Sequence, residues 1–134
     1  MCLYSRAQLT YSKDKLVAIS GIARHFRSII QDKYVAGLWA TNLERQLCWT
    51  INREISSAGT KEKTALYRAP SWSWASVDEP VTWELYYNNN VLDTADSDLL
   101  IRINKIDLSP IGEDALGELG HARIKIAVRS TDKK

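Results

Sequence analysis

Three serines, Ser71, Ser73 and Ser76, stand just ahead of Asp78, and the chain carries two histidines, His25 and His121. Serine chemistry needs a base within hydrogen-bond reach, and often a Gly-x-Ser-x-Gly elbow that exposes the hydroxyl. No such elbow occurs, and neither histidine has a local partner. His25 lies beside Arg24 and Arg27 on a predicted helix and reads as a solvated residue, while His121 falls beside a predicted strand. The expected set of catalytic residues is therefore empty. Cys2, Cys48 and the two histidines show no metal-ligand spacing. The acidic run through Asp93, Asp96 and Asp98 lacks the glycine and the closing glutamate of a calcium loop. Glu113 and Asp114 sit in a glycine-flanked loop and read as solvated acids. No metal and no cofactor is expected.

The stronger local signal is aromatic. Two of the five tryptophans stand two residues apart in Tyr67 to Asp78, Tyr-Arg-Ala-Pro-Ser-Trp-Ser-Trp-Ala-Ser-Val-Asp. Alternation along a strand would put Trp72, Trp74 and Ser76 on one face and Ser73, Ala75 and Val77 on the other. Pro70 donates no ladder hydrogen bond and marks the strand's entrance near Ser71. Together with Trp83 the rings could form a stacking platform for a sugar or a base. Large aromatics among small neighbours more often pack, with indole N–H groups seeking partners such as Ser73 or Ser76, and core packing is the preferred expectation.

The elements that must position this stretch follow from the remaining pattern. Leu16, Ile19, Ala23, Phe26 and Ile30 recur at steps of three and four, which predicts a helix from about Lys13 to Gln31, with Ser12 as its cap and Asp14 in its first turn. Gly21 in mid-helix costs about 1 kcal/mol against alanine and is read as a point of close approach by another element. Tyr34 to Trp39 is read as an irregular, buried connector. Thr41 and Glu44 fit a capping box ahead of a second helix over about Asn42 to Asn52, which would contain Trp49.

A flexible, polar surface loop is expected over 53–66, and Arg53, Lys61, Lys63 and Arg68, which surround it, are interleaved with Glu54 and Glu62 and read as solvated. The tryptophan strand and Thr82 to Tyr87 are read as a hairpin turning at Asp78 to Pro80. Leu99 to Leu108 and Ala122 to Arg129 both alternate, the second more cleanly, and they could pair antiparallel across the connection marked by Pro110, Gly112, Gly117 and Gly120. The expected organisation is a helical part over 1–52, the loop, a β-rich part over 67–129 and a frayed tail over 130–134. The fold class is α+β, with two N-terminal helices on a C-terminal antiparallel unit of about four strands.

Composition sets broad limits. A chain of 134 residues supports one domain burying roughly two-thirds of its unfolded surface. With 45% hydrophobic and 25% charged residues it is ordinary globular material. A formal charge of +2 gives no footprint for nucleic acid, which is not expected as a partner. Nothing approaches the roughly 18 apolar residues of a membrane span, so no membrane association is expected. The two cysteines form no disulfide framework and no glycosylation sequon occurs, which favours an intracellular, cytoplasmic protein.

The order of several blocks resembles fungal heterokaryon incompatibility (HET) domain proteins, at and beyond the C-terminal end of the domain. The blocks are Tyr4-Ser5-Arg6 with Leu9-Thr10, Asp14-Lys15-Leu16-Val17-Ala18-Ile19-Ser20-Gly21-Ile22-Ala23, Tyr34-Val35-Ala36-Gly37-Leu38-Trp39, Gln46-Leu47-Cys48-Trp49, and Ala69-Pro70-Ser71-Trp72-Ser73-Trp74-Ala75-Ser76. Glu79, Ala40 and Cys48 depart from the residues usual in the family at those places. The resemblance implies a part in nonself recognition and cell death. It also implies that the chain is a truncated gene product, a fragment or a partial gene model, because the upstream blocks of the family have no counterpart in it. The expected partner is that N-terminal HET region or another protein. The family's upstream region has been likened to the TIR fold, some of whose members cleave NAD, so a second expectation is a part of a nucleotide-acting enzyme active only when joined to that upstream region. A third, from the tryptophans, is a carbohydrate-binding module.

Overall fold

The computed structural model of the chain describes residues 15–54, 67–83 and 99–130. Within them the architecture is mixed α+β. Helix α1 (Lys15–Ile30) is followed by β1 (Tyr34–Val35), β2 (Leu38–Trp39), a one-turn helix α2 (Leu43–Gln46), β3 (Thr50–Ile51), a 3-10 turn (Trp74–Ser76), β4 (Val81–Thr82), β5 (Ile101–Pro110) and β6 (Leu119–Val128). The described strands form three antiparallel two-stranded ladders, β1 with β2, β3 with β4 and β5 with β6. Ser12 and Asp14 lie outside the described residues, as do Lys61, Lys63, Leu85, Tyr87 and the acidic run from Asp93 to Asp98.

The periodic stripe of α1 is half used. Leu16, Ile19 and Ala23 are buried in the core, whereas Phe26 and Ile30 are 46% and 49% exposed. The helix outruns the core after Ala23 and ends where Gln31 turns into the left-handed region and its N–H caps the Arg27 carbonyl. Gly21 does not receive another element. It sits on the face turned away from Leu16 and Ala23, and nothing lies within 4 Å of where its Cβ would be.

The expected second helix stops at Gln46. Its cap is Asn42, in the left-handed conformation that asparagine tolerates, and no side chain caps it. Glu44 spends its carboxylate elsewhere, accepting the Ile103 N–H at 2.9 Å. After one turn the chain extends so that Thr50 and Ile51 pair with Thr82 and Val81, and a ladder formed at long range displaces the helical continuation. Tyr34 to Trp39 is buried as expected, but it is regular. Tyr34 pairs with Trp39 and Val35 with Leu38, and the two-residue turn between them has positive φ at both Ala36 and Gly37. Such a turn twists in the sense that antiparallel strands need.

The pairing of the last two strands is as the alternation predicts. Ile101, Ile103, Ile106 and Leu108 face Val128, Ile126, Ile124 and Ala122 across the ladder, with an irregularity between Ile103 and Lys105 that keeps the apolar residues on one face. Ile103, Ile106, Leu108 and Ala122 pack against the buried cluster of Leu16, Val35, Leu38, Leu43 and Trp74. Asp114, expected to be solvated, fastens the β5–β6 connection to α1. It pairs with Arg24 at 2.6 Å and accepts the Leu116 N–H at 3.0 Å. The Arg24 guanidinium, ahead of that N–H, holds its carboxyl below the usual carboxylate range.

Candidate functional site

The tryptophan stretch is a turn, not a strand. The Ser73 N–H bonds to the Pro70 carbonyl at 2.9 Å, and the Ser76 N–H to the Ser73 carbonyl at 3.0 Å. Serine causes this locally: Ser73 Oγ accepts the Ala75 N–H at 3.1 Å, and Ser76 Oγ donates to the Ser73 carbonyl at 2.7 Å. Side chains that bond their own backbone compete with a strand ladder. Trp72 and Trp74 consequently do not share a strand face. Trp74 is fully buried, Trp72 is half-buried and Ser71 is exposed. Among the described residues no ladder joins this stretch to Val81–Thr82, which pairs with Thr50–Ile51 instead, and the remainder of the expected hairpin strand lies outside them.

The turn docks on the β1–β2 hairpin through two side chains. Ser73 Oγ donates to the Ala36 carbonyl at 2.6 Å, and Trp74 Nε1 donates to the Gly37 carbonyl at 2.9 Å. These carbonyls belong to the hairpin turn itself, where the ladder offers them no strand partner. Gly37 is required twice over. Its φ is +90°, and a Cβ there would lie 2.9 Å from Trp74 Nε1. Pro70, Ala69 and Ala75 are buried around the same point, and Leu38 closes it from the hairpin side.

Lys15 comes from the start of α1 and lies over the Trp74 ring, 5.6 Å from its centroid. Its Nζ donates to the Val77 carbonyl at 2.5 Å. Burial pushes its pKa down, Arg68 adds to that, and Asp78 and Glu79 oppose it. A desolvated lysine of this kind can act as a nucleophile, but here the amine is bound to the backbone and covered by the indole. Arg68, read from the sequence as a residue of a solvated loop, forks onto the Ser76 carbonyl at 2.6 Å and onto Asp78 at 2.6 Å. Its side chain is only 11% exposed. Lys15 and Arg68 thus hold the exit of the turn from two sides.

A second set of bonds ties in the remaining tryptophans. Trp49 Nε1 donates to the Trp72 carbonyl at 2.9 Å, and Trp83 Nε1 to the Gln46 carbonyl at 2.8 Å. The Gln46 side chain accepts the Trp39 N–H at 2.9 Å and donates to the carbonyls of Trp39 and Thr41 at 2.8 Å each. Trp39 is half-buried, its ring meeting Tyr34 edge to face. The indole partners are therefore backbone carbonyls far along the chain, not the neighbouring serines. Sequence patterning misses Gln46 and Arg68 because their partners lie outside any local period.

Chemically, this junction is occupied with itself. The Ser73 hydroxyl gives its one proton to Ala36, and the Trp49, Trp74 and Trp83 indoles have each given theirs. Of the three rings read as a stacking platform, Trp74 and Trp83 lie in the core. His121 does find a serine, with Nε2 at 3.2 Å from Ser109 Oγ, on the exposed side of the β5–β6 hairpin. Among the described residues no group of three or more histidine, cysteine, aspartate or glutamate side chains could hold a metal ion. Among the same residues no helix is long and apolar enough to cross a membrane. Compared with known proteins, the chain matches no family model, no curated protein and no solved structure.

Proposed function

We propose that the chain is a non-catalytic structural and interaction segment of a fungal heterokaryon incompatibility protein. In this reading α1 and α2 pack on the β-rich part, and the partner is the upstream HET region or another protein. One observation carries the proposal: residues from separate resemblance-bearing blocks meet at one point, where Ser73 and Trp74 bond the carbonyls of Ala36 and Gly37. Lys15 of a third block covers the same indole. A motif whose polar groups are spent on internal backbone bonds is one retained for shape. Its glycine, serine and tryptophan specify each other, as a buried polar set must when every member needs its partner.

The proposal is tested by exchange. Residues 15–83 are placed in a HET-domain protein at the corresponding stretch, and the cell-death reaction on fusion of unlike cells is scored. Retention of the reaction is expected. Loss of the reaction, with the chimera accumulating at the parent's level, contradicts the assignment. The isolated chain is expected to leave NAD unconsumed, and turnover above the buffer control overturns the non-catalytic reading.

A further inference from the structure

The β5–β6 ribbon has two outer edges, and they are treated differently. On β5 the Ile103 N–H points away from β6 and is taken by the Glu44 carboxylate. In an antiparallel ladder, outward and inward residues alternate. Ile126, the partner of Ile103, therefore turns its own N–H and carbonyl outward on the far edge. The bond from the Arg129 N–H to the Leu100 carbonyl fixes the same phase at the ribbon's end. Since β6 itself carries no extra residue from Ala122 to Val128, the backbone groups of Ala122, Ile124, Ile126 and Val128 all face outward. The Ala122 N–H meets the Tyr67 phenol oxygen. Among the described residues no strand other than β5 pairs with β6, and Ile126 and Val128 are 43% and 77% exposed.

We propose that this open edge of β6, from Ile124 to Val128, accepts an extended segment of a partner protein as a third strand, and that the segment alternates acidic and apolar residues. The side chains set both halves of that pattern. One face of the edge continues the apolar row of Ile124, Ile126 and Val128, and the other presents the exposed cations Arg123 and Lys125, with Lys105 directly opposite Lys125; Asp107 faces Arg123 and pairs with Lys105 at 3.0 Å, so three cations share one acid there. Like charges facing each other across a ladder are destabilising, and an acidic strand alongside relieves them. The same cations argue against a second copy as occupant, because pairing β6 with β6 would set Lys125 and Arg123 against their own kind. The site stands on the ribbon's geometry and does not depend on membership of the HET family.

The test uses the full chain, labelled with nitrogen-15, and a capped peptide of alternating aspartate and valine of about nine residues, long enough to span the edge. Amide shifts confined to Ile124–Val128, with slowed exchange of the Ile124, Ile126 and Val128 N–H groups, are expected. Ile126→Pro removes an outward N–H without touching the ladder and is expected to weaken binding by about tenfold or more. Should that variant fail to fold, the Arg123→Glu, Lys125→Glu double variant serves instead, and it is expected to prefer a lysine–valine peptide. The proposal is overturned by any of three results: no shift at millimolar aspartate–valine peptide, equal binding by the wild type and both variants, or protection of those three amides in the free chain. Concentration-dependent self-association abolished by Ile126→Pro would make a second copy the occupant and also overturn it.

Discussion

The β5–β6 ribbon and the tryptophan turn are both compact antiparallel-looking stretches in the sequence, yet they are held in different ways. The ribbon is a period-two ladder in which each residue's partner follows from its neighbour's. The turn has no ladder and is fixed by single side-chain bonds to carbonyls 37 residues away. A regular ladder spreads its stability over many similar bonds and tolerates one loss. The junction of the turn with the hairpin concentrates it in a few bonds that nothing else replaces.

The largest expected effect therefore lies in the junction. Trp74→Ala removes a fully buried ring and strands the Gly37 carbonyl, and a loss of about 3–5 kcal/mol is expected in urea unfolding. Ile126→Ala, at a half-open ribbon position, should cost far less. If the two losses are equal, the contrast between the regions fails.

The glycines sharpen the comparison. Gly37→Ala meets a positive φ and the Trp74 indole, and the backbone conformation alone should cost about 1–3 kcal/mol. Gly21→Ala has open space and a helical backbone, and it should stabilise by about 0.5–1 kcal/mol. Thermal unfolding of both variants checks the opposite signs.

Lys15 gives the smallest effect and the only one that depends on pH. Burial holds its folded pKa below the ordinary lysine value, so between the two the unfolded chain binds more protons than the folded one. Stability should then rise with pH through that window, the charged amine being the form that burial disfavours. Lys15→Met should flatten this rise, as measured by urea midpoints from neutral to alkaline pH.

Legibility follows the same division. The strands of the ribbon were readable because alternation is a local property, and α1 because its apolar steps are local too. Even there the sequence alone misplaces Phe26 and Ile30, since periodicity does not say where the core ends. The tryptophan stretch and the segment after Thr41 defeat local patterning for a common reason. Trp-Ser-Trp alternates like a strand, but Ser73 and Ser76 take local backbone bonds that fold it into a turn. Glu44 is spaced as a capping residue, but Ile103 claims its carboxylate. The junction's composition was legible as a run of packing residues, whereas its partners, Lys15 with Val77, Arg68 with Ser76 and Gln46 with Trp39, are set by the tertiary fold alone.

The shape of the junction rests on indole-to-carbonyl bonds made inside one fold. Hydrogen exchange of the indole N–H groups, resolved by nitrogen-15 NMR on the full chain, tests it most directly. Trp74 Nε1–H should exchange only through global unfolding, with Trp49 and Trp83 also protected. Exchange of the Trp74 indole at the rate of an unstructured peptide, in a chain whose β5–β6 amides remain protected, would contradict the account.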